Sequence, residues 1–331
     1  MSEATFTIAL IDSQHYKGDD FSAITTLCTN AGGKLLILQC QNDDEIVAQA
    51  QEADALLVVY APVGHALLSR LPKCRIAVRL GIGVDNYDLN AFTENKVIAC
   101  NVPDYGVEEV AAHSLGLILA TERKIPFYQQ RVREGEWNNA AGYPMRRLST
   151  RTLGIFGFGR IARKLAECLA PLGYHLIAFD PFVKADVFEQ YKVRSVDLKS
   201  LFQQSHTLVM MAPLTEQTKH IVNDENLALA QDGLRIVNTA RGELIDTQAL
   251  IRGLENGKVA AAGLDVIEGE PVHNAAHPIF QYPNVYLTPH TAYQTVESVA
   301  LLKTMGLETA IDFLKGQAAR NVVNPDVLQM I

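Results

Sequence analysis

Residues 152–162, TLGIFGFGRIA, decide the fold. A short apolar run leads directly into Gly157, Gly159 and Ala162, which have the spacing G-x-G-x-x-A. Between a strand and a helix, the first glycine permits a tight turn, the second lets the backbone approach a phosphate, and a small third residue allows close helix–strand packing. Free N–H groups at the start of the helix then favour negative charge. The stretch therefore predicts a dinucleotide site, although the motif alone is as compatible with a plain glycine turn.

Asp180 is a second signal for the same site. It ends the next apolar run, at 175–179, and lies 21 residues after Gly159. An acid at about that distance accepts hydrogen bonds from the adenosine ribose. The plainer alternative is a turn aspartate before Pro181. Because a carboxylate there repels a 2′-phosphate, the sequence favours NAD over NADP.

Short apolar runs alternate with helical patterns along the chain. Runs typical of parallel strands buried on both faces lie at 5–11, 34–38, 55–59, 75–79, 97–101, 152–156, 175–179, 207–210, 234–238, 263–266 and 285–287. Helical patterns occupy 20–30, 43–51, 65–71, 88–95, 160–170, 197–203, 223–229 and 246–256. Longer helices are predicted over 107–133, broken or kinked at Pro126, and over 295–315. This alternation predicts an α/β fold with two doubly wound parallel-sheet domains.

Composition excludes several classes of function. The 331 residues carry a net charge of -8, which argues against a nucleic-acid or anionic-membrane surface. Neither a secretory signal nor an apolar run of the roughly 18 residues that span a bilayer is present. The five cysteines form no C-x-x-C pair, which indicates reduced thiols in a cytoplasmic protein rather than disulfides or a zinc site.

Three polar segments follow later strands. They are 238–246 (NTARGELID), 263–271 (GLDVIEGEP) and 287–292 (LTPHTA). Ligands of open α/β sheets bind beyond the carboxyl ends of the strands. We therefore expect an arginine, an acid and a histidine from these segments to converge near the dinucleotide.

With these segments in place, the chain resembles the D-isomer-specific 2-hydroxyacid dehydrogenase family over nearly its whole length. The resemblance runs from 79–86 (RLGIGVDN) through the glycine motif to 288–290 (TPH), and the combination of Arg241, Glu270 and His290 is its most specific part. It implies a flavodoxin-like substrate domain, residues 1–101 and 296–331, with an inserted Rossmann NAD-binding domain, residues 102–295. It also implies a homodimer, formed through the helical stretch after Pro103.

The resemblance implies a role for each residue type. Arg241 would hold the substrate carboxylate and carbonyl oxygen, and His290 would be the general acid in reduction, paired with Glu270. Further substrate-binding backbone N–H groups would come from Leu80, Gly81, Ile82 and Gly83. The expected cofactor-binding residues are Gly157, Gly159, Arg160, Ile161, Asp180, Pro213, Thr239, Ala240 and Asp265. No metal is expected, because prolines flank His273 and His277 and disfavour the helix that their spacing would need.

The implied reaction is reversible hydride transfer between NADH and a small anionic 2-keto acid of the glyoxylate, hydroxypyruvate, pyruvate or phosphohydroxypyruvate class. Taken singly, Arg241, Glu270 and His290 read as ordinary loop residues, and only their joint pattern reverses that interpretation. Trp137 and Tyr143 could line a site or an interface, although packing is the plainer role.

A second function remains open. Residues 101–111, NVPDYGVEEVA, resemble the C-terminal-binding-protein branch of the family, whose members are NAD(H)-sensing transcriptional corepressors. Such a protein would bind NADH with little turnover. The short chain and the lack of a disordered tail favour the enzyme.

Overall fold

The computed structural model describes residues 5–16, 18–142 and 144–330. Its strands are β1 (Phe6–Leu10), β2 (Gly33–Ile37), β3 (Ala55–Val58), β4 (Ile76–Arg79), β5 (Ile98–Cys100), β6 (Thr152–Phe156), β7 (His175–Phe179), β8 (Arg194–Ser195), β9 (Thr207–Met210), β10 (Leu234–Asn238), β11 (Val259–Leu264) and β12 (Val285–Leu287). Its α-helices are α1 (Ser22–Asn30), α2 (Asp43–Ala50), α3 (His65–Leu68), α4 (Leu89–Glu94), α5 (Val107–Arg123), α6 (Ile125–Arg133), α7 (Arg160–Leu169), α8 (Ala185–Gln190), α9 (Leu198–Gln204), α10 (Asp224–Leu229), α11 (Thr247–Glu255) and α12 (Val296–Leu314).

The chain divides into two compact units. The first comprises Met1–Gly106 and Thr295–Ile331, and the second comprises Val107–Gln294. In the first unit the strand order is β2-β1-β3-β4-β5, with every pairing parallel. This is the flavodoxin-like order, in which the chain reverses direction across the sheet between β1 and β3. The C-terminal helix α12 belongs to this unit and packs on β3 and β4.

The second unit has a seven-stranded sheet in the order β12-β11-β10-β9-β6-β7-β8. All of its strand pairings are parallel. Counted within the unit, the first strand β6 lies between β7 and β9, so the topological switch point of a Rossmann sheet falls between β6 and β9. The predicted fold class, two doubly wound parallel-sheet domains, is confirmed.

The predicted helix over 107–133 is two helices in the structure. It is interrupted at Lys124, whose φ of 52° is left-handed, and Pro126 lies in the first turn of α6. A proline ring clashes with the carbonyl of the fourth residue before it, whereas the first turn of a helix accepts it without loss. The break therefore precedes the proline by two residues.

Two short elements, α8 and β8, were absent from the sequence prediction, and β11 begins at Val259 rather than at 263. The segment 259–264, VAAAGL, is rich in alanine and glycine, which are depleted in strands. Its position between β10 and β12 in a buried sheet outweighs that weak propensity.

Tyr143 lies outside the described residues, and Trp137 is 90% exposed. Within the described ranges, no helix is both long and apolar enough to cross a bilayer.

Candidate active site

The glycine motif lies at the carboxyl end of β6, beside the switch point of the second unit. Gly157 has φ +89°, and a Cβ built on it would lie 2.6 Å from the backbone nitrogen of Ala212, just after β9. Only glycine combines this backbone conformation with so close an approach. The conformation of the turn is therefore determined by the adjacent segment after β9 as well as by its own sequence.

The start of α7 fits a pyrophosphate. Its N-cap is Gly159, which offers no side chain to the N–H groups that follow, and a Cβ at this position would meet nothing within 4 Å. Arg160 and Ile161 form the first turn of this ten-residue helix. An uncapped helix N-terminus with open space in front of it suits a negatively charged group.

Asp180 lies immediately beside this turn. Its Oδ2 accepts a hydrogen bond of 2.8 Å from the backbone N–H of Phe158, and its Oδ1 accepts one of 2.9 Å from that of Phe182. The carboxylate is thus oriented by the glycine motif itself and still has lone pairs for a ribose hydroxyl. The fit of NAD to this end of the site rests on that geometry and on the open N-terminus of α7.

The remaining expected cofactor residues lie on the same edge of the sheet. Pro213 is exposed after β9, and its carbonyl accepts a hydrogen bond from the Thr218 hydroxyl. Thr239 follows β10, and its hydroxyl is 2.8 Å from that of Ser114 on α5. The Ala240 amide donates to Oδ1 of Asn238. These contacts give the loops after β9 and β10 fixed local shapes.

Arg241 is half-buried in the turn after β10. The side chain of Asn238 donates to its carbonyl oxygen at 2.8 Å, and the Arg241 Nη1 donates to the carbonyl of Ala240 at 2.7 Å. The next residue, Gly242, approaches the loop after β11 so closely that a Cβ would lie 2.2 Å from the Ile267 carbonyl carbon. The turn that contains Arg241 and Gly242, the arginine turn, therefore packs directly against the segment that leads to Glu270.

His290 and Glu270 form a close pair. His290 Nδ1 lies 2.5 Å from Glu270 Oε1, and both side chains are about 30% exposed, at 31% and 29%. The second carboxylate oxygen accepts from the Ile267 amide at 3.2 Å. Since Nδ1 is committed to the carboxylate, the opposite ring nitrogen, Nε2, is the one available for proton exchange with a ligand.

Asp265 holds the loop that carries His290. Its carboxylate is 1% exposed and accepts hydrogen bonds from the Thr288 hydroxyl and from the amides of Thr291 and Ala292, at 2.6 to 2.9 Å. Its carbonyl also accepts the His290 amide at 2.8 Å. The role expected of Asp265, binding the cofactor's carboxamide, stays a prediction, while its contacts within the chain make it the anchor of the His290 loop.

Sequence reasoning missed three supporting side chains. His113 Nε2, on α5, lies 2.9 Å from the Thr288 hydroxyl. His220 Nε2 lies 2.6 Å from Oε1 of Glu268, which forms a second imidazole–carboxylate pair two residues before Glu270. No sequence spacing marks these contacts, because 175 and 48 residues separate the partners.

The loop predicted to bind a carboxylate, Leu80–Gly83, lies in the first unit after β4. The Leu80 amide donates to the Val58 carbonyl at 2.7 Å, and the Gly81 amide donates to the Arg79 carbonyl at 2.9 Å. Two of the four expected N–H donors are therefore engaged within the unit, and those of Ile82 and Gly83 are the ones left for a ligand. Across 5–16, 18–142 and 144–330, no group of three or more histidine, cysteine, aspartate or glutamate side chains could hold a metal ion.

Comparison with known proteins agrees with this arrangement. Residues 115–292 match the model of the D-isomer specific 2-hydroxyacid dehydrogenase, NAD binding domain. The chain is 33% identical to glyoxylate reductase of Aeropyrum pernix, over 87% of this chain and 88% of that protein. It is 35% identical to D-3-phosphoglycerate dehydrogenase of Methanocaldococcus jannaschii, over 86% of this chain. The chain covers 55% of that protein, so it spans about half the length of the phosphoglycerate dehydrogenases it matches.

The solved structures add a match in fold. The apo-structure of D-lactate dehydrogenase from Escherichia coli superposes with a TM-score of 0.80 at 27% identity, covering 96% of this chain and 99% of that one. The predicted kinship with the C-terminal-binding-protein branch in particular stays a prediction. The chain belongs to the D-isomer-specific 2-hydroxyacid dehydrogenase family and carries its NAD-binding domain.

Proposed function

We propose that the protein is an NAD-dependent D-2-hydroxyacid dehydrogenase that interconverts a small 2-keto acid and the corresponding D-2-hydroxy acid. The observation that carries the proposal is the His290–Glu270 pair, at 2.5 Å, in the same unit as an NAD-binding glycine turn. An imidazole oriented by a carboxylate is suited to exchange a proton near neutral pH. Membership of the family supports the same reaction.

The second unit would hold NAD along the carboxyl edge of its sheet. Gly157 and Gly159 would admit the pyrophosphate, Asp180 would bind the ribose, and Arg160, Ile161, Pro213, Thr239, Ala240 and Asp265 would complete the contacts. When bound, NADH supplies the hydride. The protein's part is to orient the keto acid and to provide the proton.

Arg241 would bind the substrate's carboxylate and carbonyl oxygen. Its planar guanidinium can donate two parallel hydrogen bonds to a carboxylate, which fixes orientation as well as position. The same positive charge favours the partial negative charge that develops on the carbonyl oxygen during reduction. The arginine turn is held by Asn238 and by the close packing of Gly242 on Ile267, so its position is set before a ligand arrives.

His290 would donate a proton to the carbonyl oxygen in reduction and accept it in the reverse reaction. Glu270 holds the ring through Nδ1 and leaves Nε2 for the substrate. The imidazole and the guanidinium would both act on the same oxygen. In this proposal the imidazole supplies the proton, Glu270 orients the imidazole, and Arg241 binds the substrate, so that the reaction requires all three side chains.

The amides of Ile82 and Gly83 are proposed as donors to a carboxylate. The Asn101 side chain donates to the Ile82 carbonyl at 2.6 Å and thereby orients this peptide. Backbone N–H groups bind a carboxylate regardless of the rest of the substrate. They would therefore contribute to recognition of the acid class and not to selection among its members.

The substrate class is a small 2-keto acid such as glyoxylate, hydroxypyruvate, pyruvate or phosphohydroxypyruvate. Relatives named glyoxylate reductase and D-3-phosphoglycerate dehydrogenase support the class without selecting one member. The experiment tests a panel of these acids with NADH and with NADPH. Oxidation of the cofactor is monitored by the decrease in its absorbance at 340 nm. We expect NADH oxidation with at least one acid and a D-configured product. Tight NADH binding without turnover on any of them would contradict the proposal and favour the NAD(H)-sensing corepressor.

We also propose a cytoplasmic homodimer. All five cysteines are free, and four are buried, as in a protein kept under reducing conditions. The helix α6 buries no residue, and Ile125, Val132 and the nearby Trp137 expose 54%, 45% and 90% of their surface. We propose that these exposed apolar side chains are part of the dimer interface. No nucleic acid or membrane partner is proposed.

The predicted cofactor preference rests on Asp180. We expect a kcat/KM with NADH far above that with NADPH, because the carboxylate repels a 2′-phosphate. Asp180→Asn should weaken NADH binding by about tenfold, because roughly one charge-assisted hydrogen bond is lost. It should also reduce the ratio of kcat/KM with NADH to kcat/KM with NADPH. NADH fluorescence titration measures the affinity, with Asp186→Asn on the exposed face of α8 as the matched control. Equal kcat/KM values for the two cofactors in the wild-type protein would contradict this role.

Replacing Glu270 by glutamine tests the imidazole–carboxylate pair. Glutamine keeps the shape and an acceptor oxygen but removes the negative charge. The imidazole loses its charged partner at Nδ1, so kcat for keto-acid reduction should fall by roughly tenfold to a hundredfold while the NADH affinity is unchanged. The control is Asp232→Asn, which removes an exposed carboxylate paired with the partly buried Lys258. A wild-type kcat in Glu270→Gln would refute the role of the pair.

A further inference from the structure

Glu268 joins the loop after β11 to two other segments. Its Oε2 accepts a hydrogen bond of 2.8 Å from the Thr247 amide at the start of α11, and its Oε1 lies 2.6 Å from His220 Nε2. Glu268 and His220 are 28% and 39% exposed, so both side chains are partly buried. We name these three residues, Glu268, His220 and Thr247, the Glu268 cluster.

The Glu268 cluster encloses the turn that carries Arg241. This turn runs from Thr239 into α11, whose first residue is Thr247. On one side, the His220 amide donates to the Glu243 carbonyl and the Val222 amide to the Leu244 carbonyl, at 2.8 and 3.0 Å. On the other side, Gly242 packs on the Ile267–Glu268 peptide. The middle of the turn is therefore held on both sides by the segments that carry His220 and Glu268.

The same residue borders the segment that orients His290. Ile267 and Glu270 form a turn in which the Glu270 amide donates to the Ile267 carbonyl at 3.4 Å, and the Ile267 amide donates back to the Glu270 carboxylate. Glu268 lies inside this turn. A displacement of Glu268 would therefore change the position of Arg241 relative to Glu270 and its partner His290.

The carboxylate is held in its charged form. Burial by itself would raise the pKa of Glu268, but hydrogen bonds from the Thr247 side chain and amide, and then from His220, outweigh it and place the pKa below its ordinary value. A carboxylate with a lowered pKa contributes to stability above its unfolded pKa and loses that contribution as the pH falls. These contacts are thus present at neutral pH.

We propose that Glu268 and His220 are positioning residues that set the Arg241 turn against the His290–Glu270 pair. The inference rests on the proposed reduction of a 2-keto acid. Neither side chain needs to touch the substrate. A misplacement of about 1 Å in a group that orients a substrate can cost on the order of a hundredfold in rate. The loss of one contact in a network of several should cost less.

The experiment compares Glu268→Gln and His220→Gln with the wild-type protein and with the control Asp232→Asn. We expect each cluster variant to lower kcat/KM for the keto acid by about tenfold, mainly through a higher KM, since Arg241 would be the displaced group. The NADH dissociation constant should stay close to that of the control, and Tm should fall by no more than about 2–4 °C, which corresponds to the loss of about 1 kcal/mol of stability. Parallel losses of Tm, NADH affinity and activity would show a merely structural role and overturn the proposal.

A double-mutant test shows whether the effect passes through Arg241. In an Arg241→Lys background the planar fork is already lost, so adding Glu268→Gln should cost much less than tenfold. The same tenfold loss in both backgrounds would overturn the proposal. Hydrogen exchange gives a readout independent of turnover: in Glu268→Ala the Thr247 amide loses its acceptor and should exchange faster by about tenfold or more.

These outcomes separate the inference from the proposed function. A wild-type protein that reduces none of the keto acids overturns the proposed function, and the catalytic part of this inference with it. A wild-type protein that is active, while Glu268→Gln matches its kcat/KM, overturns the positioning role alone. If the Thr247 amide exchanges faster in a Glu268 variant whose kcat and KM are unchanged, the positioning role is likewise overturned and the proposed function stands.

Discussion

Replacing His290 should abolish most of the turnover while leaving NADH binding intact. A positioned general acid typically contributes about 10²–10⁴ in rate, so kcat for keto-acid reduction should fall by that factor. His290 has a left-handed backbone with φ 54°, a conformation that asparagine tolerates better than most residues. His290→Asn therefore removes the imidazole with the least backbone strain. His290→Ala is a second variant that should show the same loss of kcat. Steady-state kinetics and NADH fluorescence titration measure the two effects.

The control for His290 is His273→Asn. His273 is exposed in the same unit, beyond the loop that contains Glu270. Its replacement should leave kcat within about twofold, as is usual for surface substitutions away from special contacts. If His290→Asn retained more than a tenth of the wild-type kcat with an unchanged NADH affinity, His290 would not be the proton donor.

Loss of the Arg241 side chain should have the second-largest effect. Hydrogen bonds to charged groups contribute about 1.5–3 kcal/mol each, so losing two of them predicts a fall in kcat/KM of roughly 10²–10⁴-fold in Arg241→Ala. Both KM and kcat should change, since the guanidinium would bind the carboxylate and also stabilise the developing charge on the carbonyl oxygen. Arg241→Lys should recover only part of the loss, because an ammonium group lacks the planar fork.

Arg252→Ala is the matched control for Arg241. Arg252 is on α11 in the same unit and forms an exposed pair with Asp224. Its removal should change kcat/KM by no more than about twofold, because exposed ion pairs contribute little. Added guanidinium salt should partly restore Arg241→Ala and leave the control unaffected. A wild-type KM for the keto acid in Arg241→Ala would contradict the assignment.

The fold could be predicted from the sequence because its signals are local. Strand β6, the glycine turn and the first turn of α7 follow one another without interruption, and β7, β10 and β12 are largely apolar runs that end in or lead directly into polar residues. Such patterns depend on few neighbours. Where the signal was weak, as in the alanine-rich β11 and the short α8, the prediction was wrong or incomplete, since tertiary burial decides those elements.

The candidate site was less predictable because its supporting contacts are long-range. The pairing of His290 with Glu270 followed from the family resemblance, but the pairing of His220 with Glu268 had no sequence signal. In the same way, Asp265 looks like one more polar residue at a strand end, and only the structure shows that it anchors the loop of His290. The engaged amide of Leu80 also depends on a neighbouring strand, since it donates to Val58 of β3.

The most direct test of the central claim is a crystal structure of the protein with NAD⁺ and oxamate, an unreactive analogue of a 2-keto acid. We predict that the oxamate carboxylate lies on the Arg241 guanidinium and that its carbonyl oxygen lies within about 3 Å of His290 Nε2. Oxamate bound away from both side chains, with the His290–Glu270 pair facing only solvent, would contradict the account.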